Sequence, residues 1–237
     1  MYYPSLDEVK ILAHQGNLVP LYREINADLE TPVSAYLKIA KPPYSFLLES
    51  VEGGERLARY SFIGTEPYDV LETGVGQPNG EVDPLELIES HLEKFKPVPI
   101  QGLPRFQGGA VGYLAYDVVR YFEDISSPKS DPLGLPEAIF MFIDTLLVFD
   151  HVRHKIKVLS HIHLGNGTID SAYKEAVERI ENLVARLRQP LIVDKKSNTI
   201  SETSDGDITS NVTQEAYESK VEKIKEYIYQ GDIIQAV

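Results

Sequence analysis

The sequence predicts an α+β fold in which mostly antiparallel sheets pack against helices. Two strand–turn–strand patterns carry this prediction. Residues 44–50 return as residues 56–64 across the turn Gly53-Gly54, and residues 139–149 return as residues 155–163. A short turn between two strands pairs them antiparallel. Helical patterns occur between strands at irregular intervals, without the sustained strand–helix alternation that is typical of a parallel sheet.

Capping residues predict where the helices begin. The side chain of a Ser, Thr or Asp satisfies a free amide at a helix start, and Pro is tolerated in the first turn. Such starts occur at Ser5 with Glu8, Thr31 with Pro32, Asp83 with Pro84, and Asp170. The same patterning predicts strands at residues 18–25 and after the glycine-rich run at 108–113. It also predicts a last helix at 214–230 with an apolar stripe (Tyr217, Val221, Ile224 and Ile228), ended by Gly231.

A polar stretch rich in Ser, Thr and Asp predicts the domain boundary. Residues 194–210 have the composition of an exposed linker, which separates a domain at 1–193 from the beginning of a second domain at 211–237. Residues 232–237 follow the last helix with the apolar pattern of a strand. A docked terminal strand is one interpretation; we expect instead that the chain is truncated there.

Composition excludes several classes of protein. Of 237 residues, 43% are hydrophobic and 25% are charged, as in ordinary globular domains. The formal charge of −13 disfavours a nucleic-acid partner and offers no basic patch for a membrane of anionic lipid. The chain lacks cysteine, which excludes disulfides and thiolate metal sites and favours a cytoplasmic protein. No signal peptide or membrane-spanning stretch is expected.

Familiar catalytic motifs are missing from the sequence. The glycines near Gly108 and Gly109 lack the dinucleotide-binding spacing, so close backbone packing is expected of them. His161 and His163 would share one face of a strand, where two imidazoles could bind a metal. No carboxylate falls at an obvious partnering position, so we expect a solvated hairpin end.

The hairpin at 44–64 has polar residues suited to a small zwitterion. Its first strand ends in Leu48, Glu49 and Ser50, and Arg59 lies on the returning strand. A carboxylate and a hydroxyl accept hydrogen bonds from an ammonium group, whereas Arg holds a carboxylate. These residues leave two interpretations open: a binding site for an amino acid, or an ordinary hairpin whose polar residues face water.

Four segments, in order, resemble the N-terminal region of anthranilate synthase component I. They are residues 44–50 (Tyr-Ser-Phe-Leu-Leu-Glu-Ser), 55–64 (Glu-Arg-Leu-Ala-Arg-Tyr-Ser-Phe-Ile-Gly), 108–117 (Gly-Gly-Ala-Val-Gly-Tyr-Leu-Ala-Tyr-Asp) and 231–237 (Gly-Asp-Ile-Ile-Gln-Ala-Val). The last resembles the opening of the family's chorismate-binding domain. Together these segments span nearly the whole chain.

The resemblance implies a lyase that converts chorismate and ammonia to anthranilate and pyruvate with Mg²⁺. It implies a partner glutamine amidotransferase subunit (component II) that supplies the ammonia. It also implies feedback inhibition by L-tryptophan bound at Ser50, with Glu49, Leu48 and Arg59 in the same site. The family's chorismate and magnesium ligands would lie beyond residue 237, so we expect this chain to be inactive alone. Aminodeoxychorismate synthase component I and a stand-alone amino-acid-binding module are the alternatives.

Overall fold

A computed structural model describes residues 1–49, 59–126, 131, 133–165, 167–192 and 209–237. It divides the chain into two compact units, Met1–Ile192 and Val193–Val237. The helices are α1 (Leu6–Leu12), α2 (Pro32–Ile39), α3 (Pro84–Leu92), α4 (Ile169–Leu187) and α5 (Gln214–Gln230), with a 3₁₀ helix at Tyr116–Tyr121. The strands are β1 (Leu18–Asn26), β2 (Ser45–Leu48), β3 (Tyr60–Thr65), β4 (Asp69–Thr73), β5 (Gly109–Leu114), β6 (Ala138–Ile143), β7 (Thr145–Asp150) and β8 (Lys155–His163).

The first unit is built on two antiparallel sheets. The larger sheet has the strand order β1-β8-β7-β3-β2, and the smaller has the order β4-β6-β5. Every pairing in the two sheets is antiparallel. With helices packed against the larger sheet, this arrangement confirms the predicted α+β class.

One face of the larger sheet carries the main core. Helix α4 lies on it because its apolar residues recur at helical spacing; the buried ones are Ala172, Ala176, Ile180, Leu183, Val184 and Leu187. The helix begins two residues earlier than Asp170 predicts, since Thr168 accepts the capping hydrogen bond from the amide of Ser171. Asp170 lies in the first turn, where a negative charge favours the helix dipole.

The opposite face carries a smaller core formed by Phe46, Ile143, Leu146, Val148 and Leu159. Gly108 and Gly112 allow the close backbone packing that the sequence predicts, whereas a Cβ on Gly109 would meet nothing within 4 Å. A Cβ on Gly112 would stand 1.9 Å from the carbonyl oxygen of Ile139, and one on Gly108 would stand 2.7 Å from that of Ile143. Either side chain would collide with a neighbouring strand.

The apolar run at 139–149 forms two strands and not the single strand expected. Its first part is β6 in the smaller sheet, and its second part is β7 in the larger sheet, where it forms the predicted hairpin with β8. The chain changes sheets at Asp144. A buried carboxylate must be hydrogen-bonded, and besides the adjacent Thr145 the partners of Asp144 are the distant His163 and Arg179, so a periodicity argument could not anticipate the break.

The second unit is described from residue 209 onwards. Helix α5 has the predicted bounds, with Thr213 as its N-cap and Gly231 in the left-handed conformation after its last turn. The strand expected at 232–237 is not formed, and Ile234 is exposed. A strand needs a hydrogen-bonded neighbour, and in the described ranges none pairs with this segment. The predicted linker at 194–210 falls almost entirely outside the described residues.

Candidate functional site

The predicted amino-acid site lies on the outer strand of the larger sheet. Strand β2 pairs only with β3 in the part of the chain that the structure describes, with Leu47 opposite Ile63 and Leu48 opposite Phe62. Since side chains alternate across a strand, Leu47 packs on the main core, whereas Leu48 is 45% exposed on the other face. Glu49 is exposed, and Ser50 lies outside the described residues. The strand therefore presents Leu48 and Glu49 to solvent.

Arg59 is held by a carboxylate of the neighbouring strand. Its Nε donates to Asp150 Oδ1 at 3.1 Å and its Nη2 to Oδ2 at 2.7 Å, while the guanidinium lies 4.9 Å from the centre of the Tyr60 ring. Burial alone would raise the pKa of Asp150, but the hydrogen bonds from Arg59 and the amide of Arg153 lower it. Arg59 can therefore offer a ligand only the donors that this forked pairing leaves over.

A second charged side chain in the larger sheet, Lys157, is not predicted from the sequence. Lys157 is 1% exposed, pairs with Glu24 and lies 4.5 Å from the centre of the Tyr22 ring. Strand alternation alone would assign this lysine to a solvated face. Its burial follows from the facing residues of β1, which are non-local in sequence.

The histidine prediction is wrong for His161. That residue is 4% exposed, and burial lowers its pKa to about 4, so the ring is neutral at physiological pH. Its Nδ1 donates to the backbone carbonyl of Asp144 at 3.1 Å, and His163 Nε2 lies 3.1 Å from the Asp144 carboxylate. The carboxylate partner that the sequence spacing did not reveal is thus Asp144, which lies between β6 and β7.

Asp144 has several hydrogen-bond and charge partners. Thr145 donates to it at 2.9 Å, and the Arg179 guanidinium stands 4.0 Å away. Burial would raise the pKa of Asp144, but the hydrogen bond from His163 and the charge of Arg179 lower it.

In the described residues, no group of three or more His, Asp or Glu side chains is arranged to hold a metal ion. None of the described helices combines the length and apolar character needed to cross a bilayer.

Comparisons with known proteins show which family the chain belongs to. The sequence profile of the chorismate binding enzyme family matches residues 43–237. Anthranilate synthase component 1 of Acetivibrio thermocellus is 41% identical over the whole chain, and the probable anthranilate synthase component 1 of Schizosaccharomyces pombe is 44% identical over 99% of it. These matches extend over 50% and 47% of the two relatives, so the chain spans about half the length of the curated relatives that it matches.

A solved structure gives the same result for the fold. The crystal structure of anthranilate synthase component I from Streptococcus pneumoniae TIGR4 superposes with a TM-score of 0.51 at 25% identity, covering 89% of this chain and 46% of that one. The first unit is thus a two-sheet α+β domain of the kind found in enzymes that use chorismate. The chain belongs to the chorismate binding enzyme family, and the predicted resemblance to anthranilate synthase component I is confirmed.

Proposed function

We propose that this chain is part of an anthranilate synthase component I, which converts chorismate and ammonia to anthranilate and pyruvate. The observation that carries the proposal is the agreement of relatives over almost the entire chain: proteins of that name are 37–44% identical over 97–100% of it. The activity belongs to the whole protein. Its ammonia would come from a glutamine amidotransferase partner subunit, and its Mg²⁺ ligands would lie beyond residue 237.

Within that enzyme, we propose that residues 1–193 form a regulatory domain that binds L-tryptophan. Support comes from the hairpin, where Leu48 and Glu49 are exposed at the end of β2. An exposed leucine beside a carboxylate suits an apolar side chain next to an ammonium group. Arg59 would act mainly by fixing the returning strand, because Asp150 holds two of its nitrogens.

The experiment is a product assay on the whole protein. Purified protein with chorismate, Mg²⁺ and ammonium should form anthranilate and pyruvate in equal amounts, and tryptophan should inhibit this formation. Glutamine should replace ammonium only when the amidotransferase subunit is added. Accumulation of aminodeoxychorismate without pyruvate would instead assign the chain to aminodeoxychorismate synthase, and no turnover of chorismate would refute the proposal.

The 237-residue chain alone is the negative control for this product assay. We expect it to form no anthranilate from either nitrogen source, because the catalytic ligands are proposed to lie beyond it. Tryptophan binding to the chain should be followed separately by fluorescence, since the chain has no tryptophan of its own. Turnover of chorismate by the chain would show that the catalytic residues are within it.

A further inference from the structure

A cavity of about 450 Å³ opens beside β1 and β8, away from the proposed tryptophan site. The larger sheet runs β1-β8-β7-β3-β2, so β1 and the hairpin strand β2 are its two outer strands. Four strand spacings of about 4.8 Å separate them by roughly 19 Å. Of the described residues that line the cavity, none is Leu48, Glu49 or Arg59. Its volume lies within the range of small-molecule pockets, about 300–1,000 Å³.

The wall of the cavity is mainly apolar. It includes Leu18, Leu92, Phe95, Pro97, Val98 and Ile143. The connector after α3 forms one side of it and is fixed to β1, because the amide of Leu18 donates to the carbonyl of Lys96 and the amide of Val98 donates to that of Leu18. The rings of Phe95 and His163 meet edge to face, 5.6 Å apart. Such a wall favours a flat, apolar molecule.

The charges around the cavity are not evenly compensated. Asp144 has its own partners in His163, Thr145 and Arg179. Arg105 also lines the cavity, is exposed, and makes no hydrogen bond or ion pair with the described residues. A guanidinium without a protein partner is a ready site for a carboxylate, which it can bind through two parallel hydrogen bonds. With respect to the described residues, the cavity thus offers one uncompensated cation.

The cavity also offers one neutral acceptor. His161 lines it and donates through Nδ1 to the backbone carbonyl of Asp144, which leaves a lone pair on Nε2. In the described part of the chain, Nε2 has no hydrogen-bond partner. A ligand that donates an N–H or O–H to this atom would satisfy it.

We propose that the cavity binds a small aromatic carboxylate carrying an amino group. The carboxylate pairs with Arg105, the ring fills the apolar wall around Leu92 and Phe95, and the amine donates to Nε2 of His161. Anthranilate, which is 2-aminobenzoate, has this chemistry. The identification of the natural ligand as the reaction product, anthranilate, rests on the proposed function. The binding of an aromatic carboxylate with an amino group does not depend on that function.

The test compares three probes on the purified 237-residue chain. Anthranilate has the ring, the carboxylate and the amine; benzoate lacks the amine, and aniline lacks the carboxylate. Each is titrated while the backbone amide signals of Gly108 and Gly109, which line the cavity, are followed by NMR. We expect saturable shifts at both glycines, with anthranilate bound most tightly and aniline most weakly.

Substitution of Arg105 tests the charge. A hydrogen bond to a charged group corresponds to roughly a ten- to hundred-fold change in affinity, so Arg105→Gln should weaken anthranilate and benzoate by that factor and leave aniline unchanged. Arg105→Lys should give an intermediate affinity. Arg188→Gln removes the same charge from an exposed position outside the cavity, and it should bind all probes like the parent. Leu92→Phe, which fills space in the wall, should weaken all three.

Absence of saturable shifts at Gly108 and Gly109 with anthranilate would overturn the proposal. Equal affinities in the parent chain and Arg105→Gln would also overturn it, as would aniline binding as tightly as anthranilate. These outcomes are separate from the proposed function. A whole protein that forms no anthranilate could still bind an aromatic carboxylate here, and an active enzyme could leave the cavity empty.

Discussion

The Asp144 carboxylate and the His163 imidazole meet at 3.1 Å where the chain passes from the smaller sheet to the larger. This contact joins the first residue after β6 to the last residue of β8. Arg179 of α4 completes the arrangement, since it donates to Ser160 at 2.8 Å and to the carbonyl of His161 at 2.6 Å. Asp144 therefore links the two sheets to helix α4.

Removal of the Asp144 charge should destabilise the first unit. Asp144→Asn retains the side-chain volume but weakens the hydrogen bonds from His163 and Thr145 and leaves Arg179 without its nearest carboxylate. A hydrogen bond to a charged group contributes roughly 1.5–3 kcal/mol, so the free energy of unfolding should fall by about that amount. Urea unfolding at neutral pH measures it. Asp28→Asn removes an exposed carboxylate and should change little; equal stability of the two variants would contradict the assignment.

The buried ring of His161 should make stability depend on pH in a defined window. Burial lowers the pKa of His161 to about 4, compared with about 6.5 when unfolded. Between these values the unfolded chain binds a proton that the folded chain does not, so stability falls as pH decreases from about 6.5 to 4. At about 1.4 kcal/mol for each unit of pKa, the loss is roughly 3 kcal/mol.

Comparison of two histidine variants isolates this effect from the carboxylates that titrate nearby. His161→Asn keeps a donor near the Asp144 carbonyl and removes the titrating ring, so its stability should vary less between pH 6.5 and 4 than that of the parent. His14→Asn removes an exposed histidine and should retain the parental slope. Urea midpoints at several pH values provide the measurement. Parallel curves for all three proteins would show that His161 is not the origin of the slope.

The extent of sequence prediction follows the range of the interactions involved. The caps at Ser5, Thr31 and Asp83 are formed because each satisfies amides within three residues of itself. The Gly231 helix end is equally local. By contrast, Asp144 contacts His163, which is 19 positions away in the sequence, and Lys157 contacts Glu24, which is 133 positions away. Periodicity contains no information on such pairs, so the sheet break and the buried lysine could not be predicted.

For the candidate site, the sequence pattern predicts the hairpin strands but not the contacts that their residues make. It predicted the pairing of the hairpin strands, which is observed, and it named Arg59 as a ligand contact. The carboxylate of Asp150, 91 positions away, holds that arginine. The roles of Ser50, Glu49, Leu48 and Arg59 in tryptophan binding stay predictions.

Arg59 should contribute to stability through Asp150. Arg59→Gln removes the forked pair and leaves a carboxylate that is 2% exposed without its cation. Because Arg59 lowers the pKa of Asp150, its stabilisation is fully present above the unfolded pKa of about 4 and is lost as pH falls through the lowered value. The midpoint of urea unfolding should therefore be lower in the variant at pH 7 and converge with that of the parent in acid.

A double-mutant cycle with Asp150→Asn tests whether the two residues act together. Arg59→Gln should destabilise the parent chain more than it destabilises the Asp150→Asn variant, because the pair is already broken there. Additive effects of the two substitutions would show that the guanidinium stabilises the strand by packing over Tyr60 instead.

The last prediction separates ligand contacts from structural ones in the hairpin. In the whole protein, Ser50→Ala should weaken tryptophan inhibition by roughly ten- to hundred-fold, since it removes a hydrogen bond to a charged group of the ligand. Leu48→Ala should weaken it by up to about ten-fold with little loss of stability, because Leu48 is exposed in the free chain. Uninhibited activity should persist in both variants.

Leu47→Ala is the matched control, since Leu47 lies next along the same strand but packs on the main core. It should lower the urea midpoint and leave the inhibition constant of the folded protein unchanged. The measurements are anthranilate formation at increasing tryptophan concentrations and urea unfolding of each variant. Inhibition unchanged by both Ser50→Ala and Leu48→Ala would identify the hairpin as a structural element and place the regulatory site elsewhere.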